Sequence, residues 1–248
     1  ASHQAIEDIA IFRSLPNMEV IVPSDAHQAE LALDYALTRK NPVYIRLNRN
    51  AMPDIDTDRD TFMAGKAIKM REGKDITIAA NGITASYAME AAEALSKEGI
   101  EAEVFSVPFI KPLDAESLFA SAEKTGRLLT VEEHLLAGGF ASSLAEVAFK
   151  RGLNAKVDNI AFEDKFGETG PYIDLLAKYG ISKENIVERA KALLAEAGYK
   201  PGELTVELVA ATDDPYKTIA PIIQANLKEI GINVTIKSMD QATLKVEC

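Results

Sequence analysis

Short apolar runs rich in valine and isoleucine recur along this chain, and nearly every one is followed by a helical run. MEVIV at 18–22, PVYIRL at 42–47, DITIAA at 75–80, AEVFSV at 102–107, RLLTVEE at 127–133 and AKVDNIAF at 155–162 are the main examples. A strand with one wet face alternates apolar and polar residues, whereas a run that stays mostly apolar suits a strand covered on both faces. Such strands, separated by helices that can cross back over a sheet, predict an α/β fold with a parallel, Rossmann-like sheet.

The helices expected between them span 3–14, 26–39, 84–98, 115–124, 140–151 and 171–179, with another starting at Ser182. Ser24-Asp25 offers a side-chain cap to the second of these. Residues 50–62, NAMPDIDTDRDTF, are acidic, polar and interrupted by proline, which reads as a linker. The expected organisation is therefore a βα unit over 1–50, a linker over 51–65, an α/β domain over 66–197 and a βαβ unit over 198–248. In the last unit LTVELVA and NVTIKSM are predicted parallel strands. The helix between them has Asp214 as cap and Pro215 in its first turn, where a missing N–H costs nothing. Its predicted buried stripe is Ile219, Ile222, Ile223, Leu227 and Ile230. The helix that starts at Ser182 carries a stripe of its own, Ile186, Val187, Ala190, Leu193, Leu194 and Ala197. It runs toward the βαβ unit without a Gly-, Ser- or Pro-rich hinge, which predicts a rigid junction.

Charge narrows the function classes. The 38 acidic residues outnumber 27 basic ones, for a net charge of −11, which argues against nucleic acid or an anionic membrane as partner. No run approaches the roughly 20 apolar residues of a membrane helix. No signal-peptide pattern is present, so a cytoplasmic location is expected. The single cysteine, Cys248, permits neither an internal disulfide nor a thiolate zinc cluster. It reads as a chance thiol or as a handle for crosslinking. The sequon at Asn233 carries no glycan if the chain is not exported.

Motifs for dinucleotides, P-loop phosphates, zinc proteases and serine hydrolases are absent from the sequence. His3, His27 and His134 are too scattered for a metal cluster, and His27 reads as solvent-facing. Glu132, Glu133 and His134 are consecutive in a strand and so point alternately to its two faces. Arg49 follows YIRL at the carboxyl end of a strand, where open parallel sheets bind ligands. A guanidinium there can hold a phosphate or carboxylate through two parallel hydrogen bonds, or pair with the acidic linker. His134 also ends a strand. Gly138 and Gly139 then lead into a helix N-terminus, which makes either an anion-facing turn or a packed histidine.

Several stretches together resemble the C-terminal half of a transketolase over about residues 2–193. They are SHQAIEDIAIFRSLPNMEVIVPSDAHQAELAL, NPVYIRLNRNAMP, FSVPFIKPLD, TVEEHLLAGGF and FGETGPYIDLLAKYG. The resemblance implies a truncated remnant of the pyrimidine-binding domain followed by the C-terminal α/β domain, which supports a dimer. It also implies substrate contacts at His3 and sugar-phosphate binding at Arg49. The family uses thiamine diphosphate and Mg²⁺, but its activating glutamate and diphosphate domain have no counterpart in this sequence. No cofactor is therefore expected on the isolated chain. AKALLAEAGYKPGELTVELVAATDDPYKTIAPIIQANLKEIGINVTIKSMDQATL, about residues 190–244, resembles extracellular solute-binding proteins of peptide and nickel transporters. The combination reads as a chimera, homodimeric and without turnover of its own. The alternatives are a ketol-transferring subunit completed by a transketolase N-terminal chain, and a weak sugar-phosphate or peptide binding module.

Overall fold

The computed structural model describes residues 5–55, 62–196, 205–211, 216–229 and 233–239. His3, Asp214, Pro215, Ala197 and Cys248, and the side chains of Leu227 and Ile230, lie outside the described residues. The chain divides into two compact units, Ala1–Ser96 with Glu101–Leu193, and Lys97–Ile100 with Leu194–Cys248.

The first unit opens with α1 (Asp8–Ser14), β1 (Glu19–Ile21), α2 (Ala26–Leu37) and β2 (Val43–Ile45). It continues with β3 (Ile68–Arg71), β4 (Ile76–Ala80), α3 (Thr84–Ser96), β5 (Ala102–Ser106) and β6 (Phe109–Lys111). Then follow α4 (Ala115–Thr125), β7 (Arg127–Leu135), α5 (Phe140–Arg151), β8 (Lys156–Phe162), α6 (Tyr172–Lys178) and α7 (Lys183–Glu196), of which the residues from Leu194 on belong to the second unit. The fold is α/β, as the apolar runs predict. Five strands form a sheet in the order β3-β5-β4-β7-β8, parallel except for β3. Central β4 is buried at every residue, which is why ITIAA carries no alternation.

Strand β6 leaves no signal in the sequence. FIK is only three residues long and follows β5 closely, so it shows no pattern of its own. It forms the third strand of a second sheet, β2-β1-β6, antiparallel to β1, while β1 and β2 are parallel. The N-terminal segment is thereby joined to the α/β domain by backbone pairing. Lys111 at the end of β6 adds to this: its Nζ donates to the carbonyls of Arg13 and Leu15 at the C-terminus of α1, at 2.9 and 2.7 Å. A cation on those unpaired carbonyls is favourable. Ile9, Val20 and Val22 share one core with Phe105, Leu118, Phe119 and Phe140.

The second unit contains β9 (Thr205–Ala211), α8 (Tyr216–Glu229) and β10 (Asn233–Met239), with the strands parallel and paired from Asn233–Thr205 to Met239–Ala211. Here the predicted stripe on α8 needs correction. Ile219, Ile222 and Ile223 are exposed, and among the described side chains of that helix Ala220 is the buried one. A turn later Gln224 donates to the carbonyl of Val234 at 2.7 Å. The helix turns its small and amide-bearing face to its own strands, and two strands are too narrow to cover the isoleucines as well.

Candidate functional site

Beyond the end of β2 the chain sets Arg46, Asn48, Arg49 and Asn50 along a cleft of about 550 Å³. Arg46 does not serve as a ligand clamp. Its guanidinium is held by Asp8 Oδ2 at 3.0 Å, by Glu133 Oε2 at 3.4 Å and by the Ala5 carbonyl at 2.9 Å. Tyr44 donates its hydroxyl to the same Asp8 oxygen at 2.7 Å. Burial works against the Arg46 charge, but the Glu133 and Asp8 carboxylates outweigh it and hold the group cationic. The far wall comes from α6. Asn48 donates to the Tyr172 oxygen at 2.5 Å, and Tyr172 shares a hydrogen bond with Glu133. Burial, then the neighbouring Glu133 charge, push the Tyr172 hydroxyl well above its ordinary range, so it stays a neutral donor.

Arg49 is different. It is exposed on the same cleft, and no ion pair or hydrogen bond engages its guanidinium among the described residues. The sequence offers it two partners, an external anion and the acidic linker. Glu133 and Tyr172 also line a neighbouring cleft of about 510 Å³ beyond the ends of β7 and β8. There Lys165, Lys178 and Arg189 are each paired, with Glu163, Glu168 and Asp158.

His134, Gly138 and Gly139 come together in space, around groups belonging to the chain itself. The Glu132 carboxylate, fully buried, accepts from the N–H groups of Phe140 at 2.6 Å and Ala141 at 2.9 Å. The first turn of α5 thus receives an internal carboxyl group as acceptor. Burial pushes Glu132 up to about 7, and those two N–H groups hold it lower than burial alone would. A Cβ on Gly139 would lie 2.2 Å from Glu132 Oε2, and one on Gly138 would lie 2.5 Å from Ala10 Cβ. The glycine pair therefore admits a carboxylate on one side and α1 on the other. His134 donates from Nδ1 to the Leu135 carbonyl at 2.7 Å, which leaves Nε2 to accept from the Ala10 N–H at 3.4 Å. Burial lowers its basicity, which favours this neutral form. Glu133 points to the opposite face from Glu132 and His134, as strand alternation requires.

The described residues do not fit a metal-bound diphosphate. No group of three or more His, Cys, Asp or Glu among them is placed to hold a metal ion. The buried carboxylates nearest the clefts, Asp8, Glu132 and Glu133, are committed to an arginine, a helix terminus and a second contact of that arginine. Among the described residues no helix is long and apolar enough to cross a membrane.

Comparison with known proteins gives three family matches. Residues 1–54 match the pyrimidine-binding domain of transketolase, and residues 65–186 match its C-terminal domain. Residues 147–247 match the middle region of bacterial extracellular solute-binding proteins of family 5. The chain is 38% identical over 201 residues to a 6-deoxy-6-sulfo-D-fructose transketolase subunit of Clostridium sp. strain MSTE9, covering 80% of this chain and 62% of that one. It is 35% identical over 191 residues to an apulose-4-phosphate transketolase subunit of Phocaeicola vulgatus, covering 77% and 61%. This chain thus spans about three fifths of the length of either relative. A solved split-gene transketolase, described as an inactive beta4 tetramer, superposes with a TM-score of 0.73 at 42% identity, over 78% of this chain and 63% of that one.

Proposed function

From a chain whose residues 1–54 and 65–186 match two transketolase domains, we propose that the first 193 residues act as the C-terminal section of a transketolase-type enzyme. In this reading the section supplies a sugar-phosphate wall and an assembly surface. Partner chains supply the cofactor site, and this chain alone performs no two-carbon ketol transfer. Thiamine diphosphate would bring the carbanion chemistry, which belongs to the cofactor and not to the protein.

The observation that carries the reading is the contrast between two arginines on one cleft. Arg46 is held by Asp8 and Glu133, while Arg49, three residues later, is exposed and has no ion pair or hydrogen bond among the described residues. A phosphate approaching the cleft meets Arg49, with the amides of Asn48 and Asn50 on the same wall. Titration calorimetry with ribose 5-phosphate should give weak binding that ribose does not show and that Arg49→Ala removes. Binding of equal strength in the variant would refute the assignment. A coupled assay with thiamine diphosphate, Mg²⁺ and pentose phosphates should show no turnover by the chain alone; turnover would overturn the claim of dependence on partners.

The overlap of the transketolase and solute-binding matches over 147–186 supports a further part of the proposal, that the chain is a chimera. Exposed Leu33 and Leu37 on α2 and the isoleucines of α8 support self-association, for which we propose a homodimer. Size-exclusion chromatography with light scattering tests it, and a monomer at all concentrations would count against it.

A further inference from the structure

The turn that carries Arg49 is closed by the side chain before it. Asn48 accepts the Asn50 N–H on Oδ1 at 2.8 Å, so its amide spans Arg49 from one side to the other. Asparagine favours such turns because its side chain can take the place of a backbone carbonyl. The same amide donates from Nδ2 to the Tyr172 oxygen at 2.5 Å. An amide has a direction, with an acceptor at one end and donors at the other. Tyr172 settles which end faces the turn. Its proton goes to Glu133, so it offers Asn48 a lone pair and takes the Nδ2 end. The Oδ1 end is left for the Asn50 N–H. Glu133 is held in turn by Arg46, which Asp8 holds from its other side. A directed series of hydrogen bonds therefore runs from this buried ion cluster through α6 to the turn of Arg49.

We propose, on the reading of Arg49 as the phosphate ligand, that Tyr172 is a positioning residue for that site: its hydroxyl, through the Asn48 amide, fixes the turn from which Arg49 meets the phosphate. Tyr172 lines the same cleft, but it acts through Asn48, since its own proton is given to Glu133. A guanidinium binds phosphate best through two parallel hydrogen bonds, which demand a set direction. Arg49 is exposed, and ordering an exposed side chain on binding costs entropy. A backbone already fixed at Asn48 and Asn50 lowers that cost. The site is then shared: Arg49 and Asn48 come from the stretch that matches the pyrimidine-binding domain, and Tyr172 from the stretch that matches the C-terminal domain.

The test follows ribose 5-phosphate binding to the full chain by phosphorus NMR titration. Tyr172→Phe keeps the ring and deletes the hydroxyl, and should weaken binding about three- to tenfold. Arg49→Lys replaces the planar fork by a point charge on a flexible stem, which needs no set direction. In that background Tyr172→Phe should weaken binding by about twofold or less. Backbone nitrogen relaxation should show the Arg49 and Asn50 amides as rigid as those of β2 in the wild type, and looser in Tyr172→Phe. Unchanged affinity in Tyr172→Phe, with binding still lost in Arg49→Ala, overturns the role of Tyr172 and leaves the phosphate site standing. No binding by the wild type overturns the site and this role together. Equal losses in the wild-type and Arg49→Lys backgrounds overturn the role as well, because the hydroxyl would then support the fold and not the fork. Should Tyr172→Phe fail to fold, the wild type decides alone: Arg49 and Asn50 amides far more mobile than β2 overturn the proposal.

Discussion

Helices α7 and α8 are each 14 residues long, and each carries an apolar stripe with the spacing of an amphipathic helix. On α7, Ile186, Ala190, Leu193 and Leu194 are buried as that spacing predicts. On α8, Ile219, Ile222 and Ile223 stay exposed. The difference lies in what each stripe is offered. Most of α7 belongs to the larger unit, where its stripe is covered, whereas the two-stranded pair beside α8 is too narrow to cover isoleucines as well as Ala220. An apolar stripe reports a demand for burial; whether the demand is met depends on elements elsewhere in the chain, or on another chain.

The same contrast extends to polar groups, and it can be tested from the most to the least damaging change. Arg46→Ala should be the most harmful, at about 3–5 kcal/mol in urea denaturation, because it strands Asp8 and Glu133 in a buried setting. A loss near zero would mean that the three-way ion pair contributes nothing net. Leu193→Ala on the covered stripe should cost about 2–5 kcal/mol by the same measurement.

Glu132 should give the first unit a pH dependence that Glu132→Gln lacks. Its folded value, about 7, lies above the ordinary 4.5. The stability gained by keeping it neutral is therefore complete below about 4.5 and is lost as the pH rises through about 7. Across that window the denaturation midpoint of the wild type should fall relative to that of Glu132→Gln as the pH rises, and above it the two should run parallel. Parallel curves throughout would show that Glu132 titrates normally.

Ile222→Ala, on the uncovered stripe, should have the smallest effect, within about 0.5 kcal/mol, and should raise solubility. A cost like that of Leu193→Ala would break the comparison, since it would mean that another chain covers α8.

Much of this fold is legible in the sequence for a physical reason: period and composition are local. ITIAA announces a buried strand, and Asp25 announces a cap, which it provides by accepting from the Gln28 N–H at 2.7 Å. What escapes is non-local. β6 is too short to show a period, and it matters only because β1 lies beside it. Arg46 reads as one polar residue in a strand, yet its two carboxylates come from α1 and β7, far away in sequence. The Gly138-Gly139 turn was legible as a place where something negative approaches a helix. That the approaching group is Glu132, from the preceding strand, required the backbone to be in place.

The antiparallel join between β1 and β6 also sets an order of events during synthesis. Residues 19–21 leave the ribosome roughly 90 residues ahead of Phe109, a wait of about 5–20 s at typical elongation rates. Through that interval one edge of β1 has no mate and its hydrophobic side has no lid. Whatever shields a nascent polypeptide has its work to do on this short stretch, long before the domain that finally receives it exists.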